Sequence, residues 1–340
     1  MHMSDALLSP AVGGAMWAGA GAAIAYSAKK VGGELDSRRV PLMGVLAAFV
    51  FAGQMVNFTI PGTGSSGHLG GGVMLAVLLG PHAAFLAMAS ILTVQALFFA
   101  DGGLLALGCN IFNLGFFPAF AAFPLFFRPL AGKDPTPARL SAASVAAAVA
   151  GLFLGALAVV VQTVASGITE LPFATFASIM LPIHLVIGIV EGLVTAAVVS
   201  FIWKARPEVL RYAADSEADG TVPFGRIVAG LAAAALITGG GLSWFASTHP
   251  DGLEWSILRV SGKEQAGGPK EGVQERLGNL QEKTALLPGY GLPGTSGREG
   301  GGRESWPAVS PARSLSGMVG GLLTLALAMA VGYAFRRRTR

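Results

Sequence analysis

Charged residues are scarce in this chain of 340 residues. Asp, Glu, Lys and Arg make up 12% of it, apolar residues make up 53%, and the mean hydropathy is +0.62. Since roughly a quarter of a soluble domain is charged, the composition excludes an ordinary soluble protein. The apolar stretches are continuous and do not alternate, which favours helices over a membrane barrel. We therefore predict an all-α polytopic membrane protein. Small residues four apart, typical of closely packed helices, occur at Gly151/Gly155, Gly188/Gly192 and Gly317/Gly321.

Three further absences narrow the class. The single cysteine, Cys109, excludes an internal disulfide and is expected to be a buried thiol. The first ten residues have no basic start followed by an apolar core, so no cleavable signal peptide is predicted. The net charge of only +4 comes from short basic loops between apolar spans, as membrane orientation requires. The lipid bilayer, and not nucleic acid, is therefore the expected partner of this surface.

Apolar runs of spanning length give the predicted domain organisation. Residues 1–205 are predicted to form a seven-segment helical bundle, 206–224 a cytoplasmic linker, and 225–340 a two-span accessory module. The outer loop of that module, 246–314, is rich in Gly, Pro and Glu after Gly262, and we expect much of it to be poorly ordered. The nine segments lie at about 11–28, 41–56, 69–79, 82–99, 104–127, 141–164, 176–203, 224–245 and 315–335.

The distribution of Lys and Arg gives the predicted orientation. The apolar run 69–99 is too long for one ordinary span, and counting it as one helix would place the later basic clusters outside the cell. A break at Gly80-Pro81, into a short spanning or re-entrant segment and a second helix, returns every basic cluster to the cytoplasm. The sequence thus predicts an outer amino terminus and a cytoplasmic carboxyl terminus. His2 and His68 then lie on the same, outer side.

The stretch Met1-His2-Met3 carries the strongest chemical signal. A retained and unblocked Met1 amine, the His2 backbone amide once deprotonated, and the His2 ring Nδ1 can form fused chelate rings. Such a nearly planar set of nitrogens suits Ni(II) or Cu(II), with cobalt as a further candidate, and disfavours calcium and magnesium, which bind oxygen. The alternative is a disordered terminus in which Ser4 and Asp5 merely cap a helix.

A square-planar ion held by three nitrogens needs a fourth ligand. His68 ends a glycine-rich loop, Gly62–His68, on the same predicted side of the membrane, and its imidazole is the predicted fourth ligand. The alternative is a solvent-facing histidine. The loop has GxGxxG spacing, but no strand or βαβ unit precedes it, so nucleotide binding is not predicted. The predicted metal site therefore consists of Met1, His2 and His68, with no catalytic residues and no resident cofactor.

Other polar side chains lie within the predicted spans. His184 and Glu191 are seven residues apart and share a helix face, but their spacing is not His-Glu-x-x-His, and we expect structural roles or a contact with a partner subunit. Asn110 and Asn113 are expected to form hydrogen bonds between helices. A metal-dependent intramembrane enzyme using His68, His184 and Glu191 is an alternative of a different class, and an autonomous metal channel or exporter is a third. Successive spans carry no column of ionisable residues, which argues against both.

Several segments occur together in an order that resembles a known family. Met1-His2-Met3, His68–Gly71, Asn110–Phe116 and Pro182–Gly192 resemble the CbiM/NikM family, the substrate-binding membrane components of energy-coupling-factor importers for cobalt and nickel. The resemblance covers about residues 1–205. It implies a protein of the prokaryotic inner membrane that binds Ni²⁺ or Co²⁺ as its transported substrate.

The family resemblance also implies a division of labour between subunits. The metal would be held by the Met1 amine, the amide and ring nitrogens of His2, and the His68 ring. The chain would not be an enzyme, since two cytoplasmic CbiO/NikO-like ATP-binding subunits would hydrolyse ATP and a membrane CbiQ/NikQ-like subunit would couple it to transport. The segment His249–Trp255 resembles the PDGLE/NikN-like accessory component of nickel systems, which favours nickel. Cobalt uptake for cobalamin biosynthesis is the alternative.

Overall fold

The computed structural model shows a helical membrane protein. It has eleven helices and one two-stranded hairpin among the described residues, which are 1–33, 35–37, 39–207, 210, 223–262, 272–293 and 306–336. The helices are α1 Pro10–Lys30, α2 Val40–Gln54, α3 Gly72–Leu79, α4 Pro81–Phe99, α5 Leu107–Ala131, α6 Pro137–Ser166, α7 Phe173–Ala205, α8 Phe224–Gly240, α9 Gly252–Ser261, α10 Val273–Thr284 and α11 Pro311–Phe335. The strands β1 Phe58–Ile60 and β2 Ser65–Gly67 pair antiparallel.

Five helices, α4, α5, α6, α7 and α11, are long and apolar enough to cross a bilayer, and α2 and α8 are shorter apolar helices. This confirms the all-α polytopic class. The longest two, α6 and α7, pack against each other, while α8 and α11 of the accessory part pack against α2. The accessory helices are therefore joined to the bundle along their length.

The break at Gly80-Pro81 is present. α3 ends at Leu79, Gly80 has a φ of 89° that favours glycine, and Pro81 opens α4 at a position where a missing N–H costs nothing. All eight residues of α3 are buried. At about 12 Å long, α3 cannot cross a hydrocarbon core of about 30 Å.

Helix α5 begins later than the predicted residue 104. The preceding chain turns around Asp5, whose Oδ1 accepts a hydrogen bond from the Ala106 amide at 2.9 Å. The middle of α5, Phe112–Phe127, has π-helical winding and contains Pro118 and Pro124, as expected where proline interrupts regular α-helical hydrogen bonding. The terminus thus influences where a distant helix starts.

Small residues let neighbouring helices approach closely, as predicted for two of the three pairs. A Cβ on Gly188 would lie 2.8 Å from the Val149 Cα, and one on Gly192 would collide with Val145. The third pair is only half right. Gly317 faces Gly239 of α8, but Gly321 has open space beside it.

The outer loop is more ordered than predicted. Its described parts contain α9, α10 and a turn at Pro288–Tyr290, and α9 begins with a capping box in which Asp251 and Glu254 satisfy each other's backbone amides. The expectation of poor order is therefore wrong for residues 246–262 and 272–293. Loop residues 263–271 and 294–305, and the predicted linker residues 208, 209 and 211–222, lie outside the described part of the chain.

Candidate metal centre

The amino terminus is buried inside the bundle. Met1 is 4% exposed and Met3 is fully buried. Asn110 of α5 holds Met3 on both sides: its Oδ1 accepts from the Met3 amide at 2.8 Å and its Nδ2 donates to the Met3 carbonyl at 3.2 Å. The Gly103 amide donates a second hydrogen bond to the same carbonyl at 2.9 Å. The disordered-terminus alternative is therefore wrong.

The two asparagines of α5 differ in role. Asn113 exchanges hydrogen bonds of 2.8 and 2.9 Å with Gln162 of α6, which is the contact between helices that the sequence predicted. Asn110 instead binds the terminal segment, so the prediction of an inter-helix hydrogen bond is wrong for it.

Glu191 of α7 holds the backbone that follows His68. The Glu191 carboxylate accepts hydrogen bonds from the amides of Gly70 at 2.7 Å and Gly71 at 3.1 Å, and Gln54 of α2 donates to the Gly70 carbonyl at 2.8 Å. His68 itself is 8% exposed. The loop is thus tied to α2 and α7 by hydrogen bonds, and the solvent-facing alternative for His68 is wrong.

The imidazole of His68 presents a lone pair to the terminal amine. Its Nδ1 lies 3.0 Å from the Leu69 carbonyl oxygen, and since a carbonyl only accepts, Nδ1 carries the hydrogen. Nε2 is then the free acceptor, and it lies 3.0 Å from the Met1 nitrogen, 67 residues away in sequence. Burial, and then the positive charges of the terminal amine and His2, lower the pKa of His68 to about 3. His68 is therefore neutral at physiological pH.

His2 completes the cluster, but its ring nitrogen is engaged elsewhere. The rings of His2 and His68 are stacked, with centroids 5.1 Å apart and an interplanar angle of 5°. Nδ1 of His2, the atom that the predicted chelate needs, lies 3.1 Å from Oδ1 of Asp101. Nε2 is buried and has no hydrogen-bond partner in the described structure. The structure thus gathers Met1, His2 and His68 without closing the chelate.

An acidic residue of the accessory part reaches the terminus. Oδ2 of Asp251 lies 2.7 Å from the Met1 nitrogen and 4.0 Å from Nε2 of His68. Burial raises the pKa of this carboxyl, but the terminal ammonium, with help from His68, brings the net pKa below its usual value. Asp251 is therefore ionised beside the amine.

Sequence reasoning missed both acidic contacts, Asp101 and Asp251. The spacing of Asp251 and Glu254 is a recognisable helix-start signal, but it says nothing about what the free carboxylate oxygen faces. His184, for which the sequence predicts a structural role or a contact with a partner subunit, donates from Nδ1 to the Met180 carbonyl at 2.8 Å. It also lines the wall of a small cavity beside Met1 and His68.

Two cavities adjoin the cluster. The smaller, of about 10 Å³, touches Met1, His68 and His184 and has room for about one water molecule or one ion. The larger, of about 460 Å³, is a polar vestibule between the bundle and the accessory part, with Asp101 and Asp251 in its wall. Within the described residues, no three His, Cys, Asp or Glu side chains are grouped as metal ligands.

The fold and the cluster define a multi-pass membrane protein with a buried, nitrogen-rich pocket at one end of its bundle. The chain belongs to the CbiM family, whose description is "cobalt uptake substrate-specific transmembrane region" and whose profile matches residues 2–209. A PDGLE domain matches residues 225–337. The chain is therefore a CbiM/NikM domain fused to a NikN-like module, as the sequence motifs indicated.

Similar proteins are described as metal transporters. A putative metal transport protein of Haloquadratum walsbyi is 38% identical over 62% of this chain and 93% of its own length. A putative fused nickel transport protein NikMN of Archaeoglobus fulgidus is 31% identical over 100% of this chain and 99% of its own length. A crystal structure of a transition metal transporter matches with a TM-score of 0.52 and 33% identity, covering 60% of this chain and 93% of that one.

Proposed function

We propose that this chain captures Ni²⁺ or Co²⁺ for an energy-coupling-factor importer. The ion would bind through the Met1 amine, the deprotonated His2 amide, Nδ1 of His2 and Nε2 of His68. The observation that carries the proposal is the 3.0 Å separation of the Met1 nitrogen from the His68 Nε2, in a pocket that buries both residues. In the metal-free structure the terminal ammonium donates to this imidazole nitrogen. Once the amine is deprotonated, both nitrogens have a lone pair to offer to one ion.

The donor set favours a late first-row transition metal. The Met1 amine, the His2 amide and Nδ1 of His2 are joined by fused chelate rings and lie nearly in one plane. The His68 imidazole supplies the fourth nitrogen, and Ni(II) prefers such planar four-coordinate sites. Asp101 and Asp251 are not counted as ligands, because each is engaged by a ligand nitrogen in this structure. The full-length similarity to a protein described as a nickel transporter supports nickel first, and the family description supports cobalt as the second candidate.

Transport would need partners that supply energy. The chain would lie in a prokaryotic inner membrane with its amino terminus outside and its carboxyl terminus in the cytoplasm. A membrane coupling subunit of CbiQ/NikQ type and two ATP-binding subunits of CbiO/NikO type would move the loaded chain until its pocket opens inward. Membership of a family of transport components supports this arrangement.

Metal-edge X-ray absorption on the purified chain tests the site directly. Protein loaded with one equivalent of Ni²⁺, or separately of Co²⁺, should show a first shell of four nitrogens at nickel. His68→Gln should lose one imidazole from that shell, whereas Glu170→Gln, at an exposed position in the α6–α7 loop, should not. A shell rich in oxygen, or one that keeps both imidazoles in His68→Gln, would refute the proposed ligands.

Reconstitution tests the transport assignment separately. Proteoliposomes holding this chain with the coupling and ATP-binding subunits should take up ⁶³Ni²⁺ only when ATP is present. Uptake by the chain alone, without those subunits, would favour the channel alternative and contradict the importer.

A further inference from the structure

His184 of α7 has the hydrogen bonding of a metal ligand. Its Nδ1 donates to the Met180 carbonyl at 2.8 Å, so in the neutral ring Nε2 carries a lone pair and no hydrogen. His68 is held in the same way, with Nδ1 donating to the Leu69 carbonyl at 3.0 Å. Histidines that bind metal almost always donate their other ring N–H to such a partner, because this bond fixes the tautomer and the orientation of the ring.

The rings of His68 and His184 border the same small cavity beside Met1. The cavity, of about 10 Å³, has room for about one water molecule or one ion. Its other walls are glycines and aliphatic side chains, namely Gly67, Gly70, Leu114, Leu152, Ile187 and Gly252. Among the side chains and the terminus that line it, the two imidazoles and the Met1 amine are therefore the groups that can bind a metal ion.

The Nε2 atom of His184 has no other partner in the described part of the chain. The residue is 1% exposed, and the hydrogen bond that its ring forms there is the one from Nδ1. On the accessory side, the absence of a side chain at Gly252 leaves room for this ring, since a Cβ there would lie 3.0 Å from the His184 Cε1. A buried acceptor without a partner is costly, and a small ligand in the cavity would satisfy it.

Two of the three donors around this cavity also belong to the proposed chelate. The Met1 amine and Nε2 of His68, 3.0 Å apart, would bind the ion together with two nitrogens of His2. His2 borders the polar vestibule and is not among the residues that line the small cavity. An ion can therefore pass from the vestibule side to the cavity side while Met1 and His68 continue to hold it.

We infer that the Met1 amine, Nε2 of His68 and Nε2 of His184 form an inner position for the ion, which the ion reaches from the chelate by ligand exchange. In this step the bonds from the ion to both His2 nitrogens break and a bond to His184 forms. The His2 amide takes back a proton from water, which the polar vestibule beside His2 admits. The inner position rests on the proposed function, since it shares two of the proposed ligands.

The exchange makes the ion easier to release. The chelate holds the ion through fused rings and a deprotonated amide, and both features oppose dissociation. In the inner position three separate neutral nitrogens hold it, and the negative charge of the amide is gone. His184 thus takes part in release and not in capture.

Binding of Co²⁺ to His2→Gln tests the inner position without the chelate. Glutamine is also a bulky second residue, so Met1 is kept, but the ring that the chelate needs is lost. With Co²⁺ bound to the full-length protein in detergent, proton NMR records one strongly shifted N–H resonance for each coordinated imidazole. We expect two such resonances, from His68 and His184. A single resonance, or no binding of Co²⁺, would overturn the inner position.

His184→Asn, added to His2→Gln, assigns the second resonance. The asparagine amide can still donate to the Met180 carbonyl but has no atom in place of Nε2. One resonance should disappear, and Co²⁺ affinity should fall about tenfold or more, the factor for about 1.4 kcal/mol of lost binding. His249→Asn makes the same change at an exposed histidine and should change neither quantity. Two resonances after His184→Asn, or equal effects of both changes, would contradict the assignment.

Transport tests the role of the inner position in release. In proteoliposomes with the coupling and ATP-binding subunits, His184→Asn alone should lower the maximal rate of ⁶³Ni²⁺ uptake about tenfold or more. It should not raise the half-saturating Ni²⁺ concentration, because the chelate is intact. A higher half-saturating concentration with an unchanged maximal rate would place His184 in capture and overturn the proposed role.

The inner position and the proposed function can fail separately. If nickel on the wild type lacks the shell of four nitrogens, the proposed function fails, whereas two imidazole resonances in His2→Gln would still support the inner position. If that shell is present and His2→Gln gives a single resonance, the inner position alone fails.

Discussion

The imidazole rings of His2 and His68 lie parallel, 5.1 Å apart with an interplanar angle of 5°. A metal ion bound by an imidazole lies close to the plane of that ring, and two stacked parallel planes share no such position. One of the rings must therefore turn before both can bind one ion. Because His68 is held through Leu69 and the tie to Glu191, we expect the His2 ring to turn, which also takes its Nδ1 away from Asp101.

An extension before Met1 tests the role of the terminal amine. A protease-recognition sequence that ends in glycine and is retained before Met1 converts the amine into an amide and moves the new terminus several residues away from His2. It should weaken Ni²⁺ binding about 100-fold or more, because the chelate loses its terminal donor. Isothermal titration of the purified protein measures this, and cleavage that restores Met1 should restore affinity. Equal affinity before and after cleavage would exclude the amine as a ligand.

Glu191 should control affinity without touching the ion. Glu191→Gln leaves one oxygen for the two amides of Gly70 and Gly71 and turns an NH₂ group toward the other, so the turn after His68 should shift. We expect metal affinity to fall about 10- to 100-fold, as for other residues that orient a ligand. Glu170→Gln, at an exposed position in the α6–α7 loop, is the control. Equal affinities in the two variants would show that the hydrogen bonds from Gly70 and Gly71 to Glu191 do not position His68.

The hydrogen bonds between Asn110 and the Met3 backbone should protect the amino terminus from digestion. Asn110→Ala removes two hydrogen bonds to the Met3 backbone, so an aminopeptidase should release Met1 from this variant faster than from the wild type, as mass spectrometry of the intact protein would record. Asn57→Ala makes the same change just before β1 and keeps the backbone carbonyl that accepts from the Ser247 amide. Similar release rates for both variants would mean that these hydrogen bonds do not protect the terminus.

Acid should destabilise the metal-free protein through His68. Its pKa is about 3 in the folded protein against an ordinary value of 6.5, so below about pH 6.5 the unfolded chain binds more protons and the free energy of unfolding falls. From about pH 7 to about pH 5 the loss should reach about 2 kcal/mol. The denaturation midpoint should drop more on acidification in the wild type than in His68→Gln. Parallel midpoint curves would contradict a neutral, buried His68.

Adjacent glycines of α11 test how the accessory module joins the bundle. A Cβ on Gly320 would collide with Phe51 of α2 and approach Phe99 of α4, whereas one on Gly321 meets nothing within 4 Å. Gly320→Ala should cost about 1–3 kcal/mol through overpacking, and Gly321→Ala should be neutral or slightly stabilising. Thermal unfolding in detergent compares the two, and an equal loss in both would place the interface elsewhere on α11.

The sequence was most informative where local chemistry decides the structure. Gly80 and Pro81 end one helix and start the next through their own backbone preferences, and the basic clusters supported the same break independently. Placing His2 and His68 on one predicted side of the membrane likewise anticipated that they would be neighbours. Their part in binding metal stays a prediction.

What the sequence did not indicate depends on contacts between distant parts of the chain. Asp251 is 250 residues from Met1, and a helix-capping aspartate leaves one oxygen whose partner only the tertiary fold selects. The order of α10 has the same origin, since its Gln281 donates to the carbonyls of Ala96 and Gly102. The glycine-rich composition around α10 suggested disorder, because composition does not show which distant carbonyls a side chain will bind.

Covalent fusion gives the contact between Asp251 and Met1 a further consequence. Partners on one polypeptide meet at an effective concentration that dilution does not lower. A separately encoded accessory subunit would be subject to its own expression level and could leave some copies uncovered. Here every copy of the chain carries Asp251 together with the Met1 amine that it binds, so the two groups are always present in a one-to-one ratio.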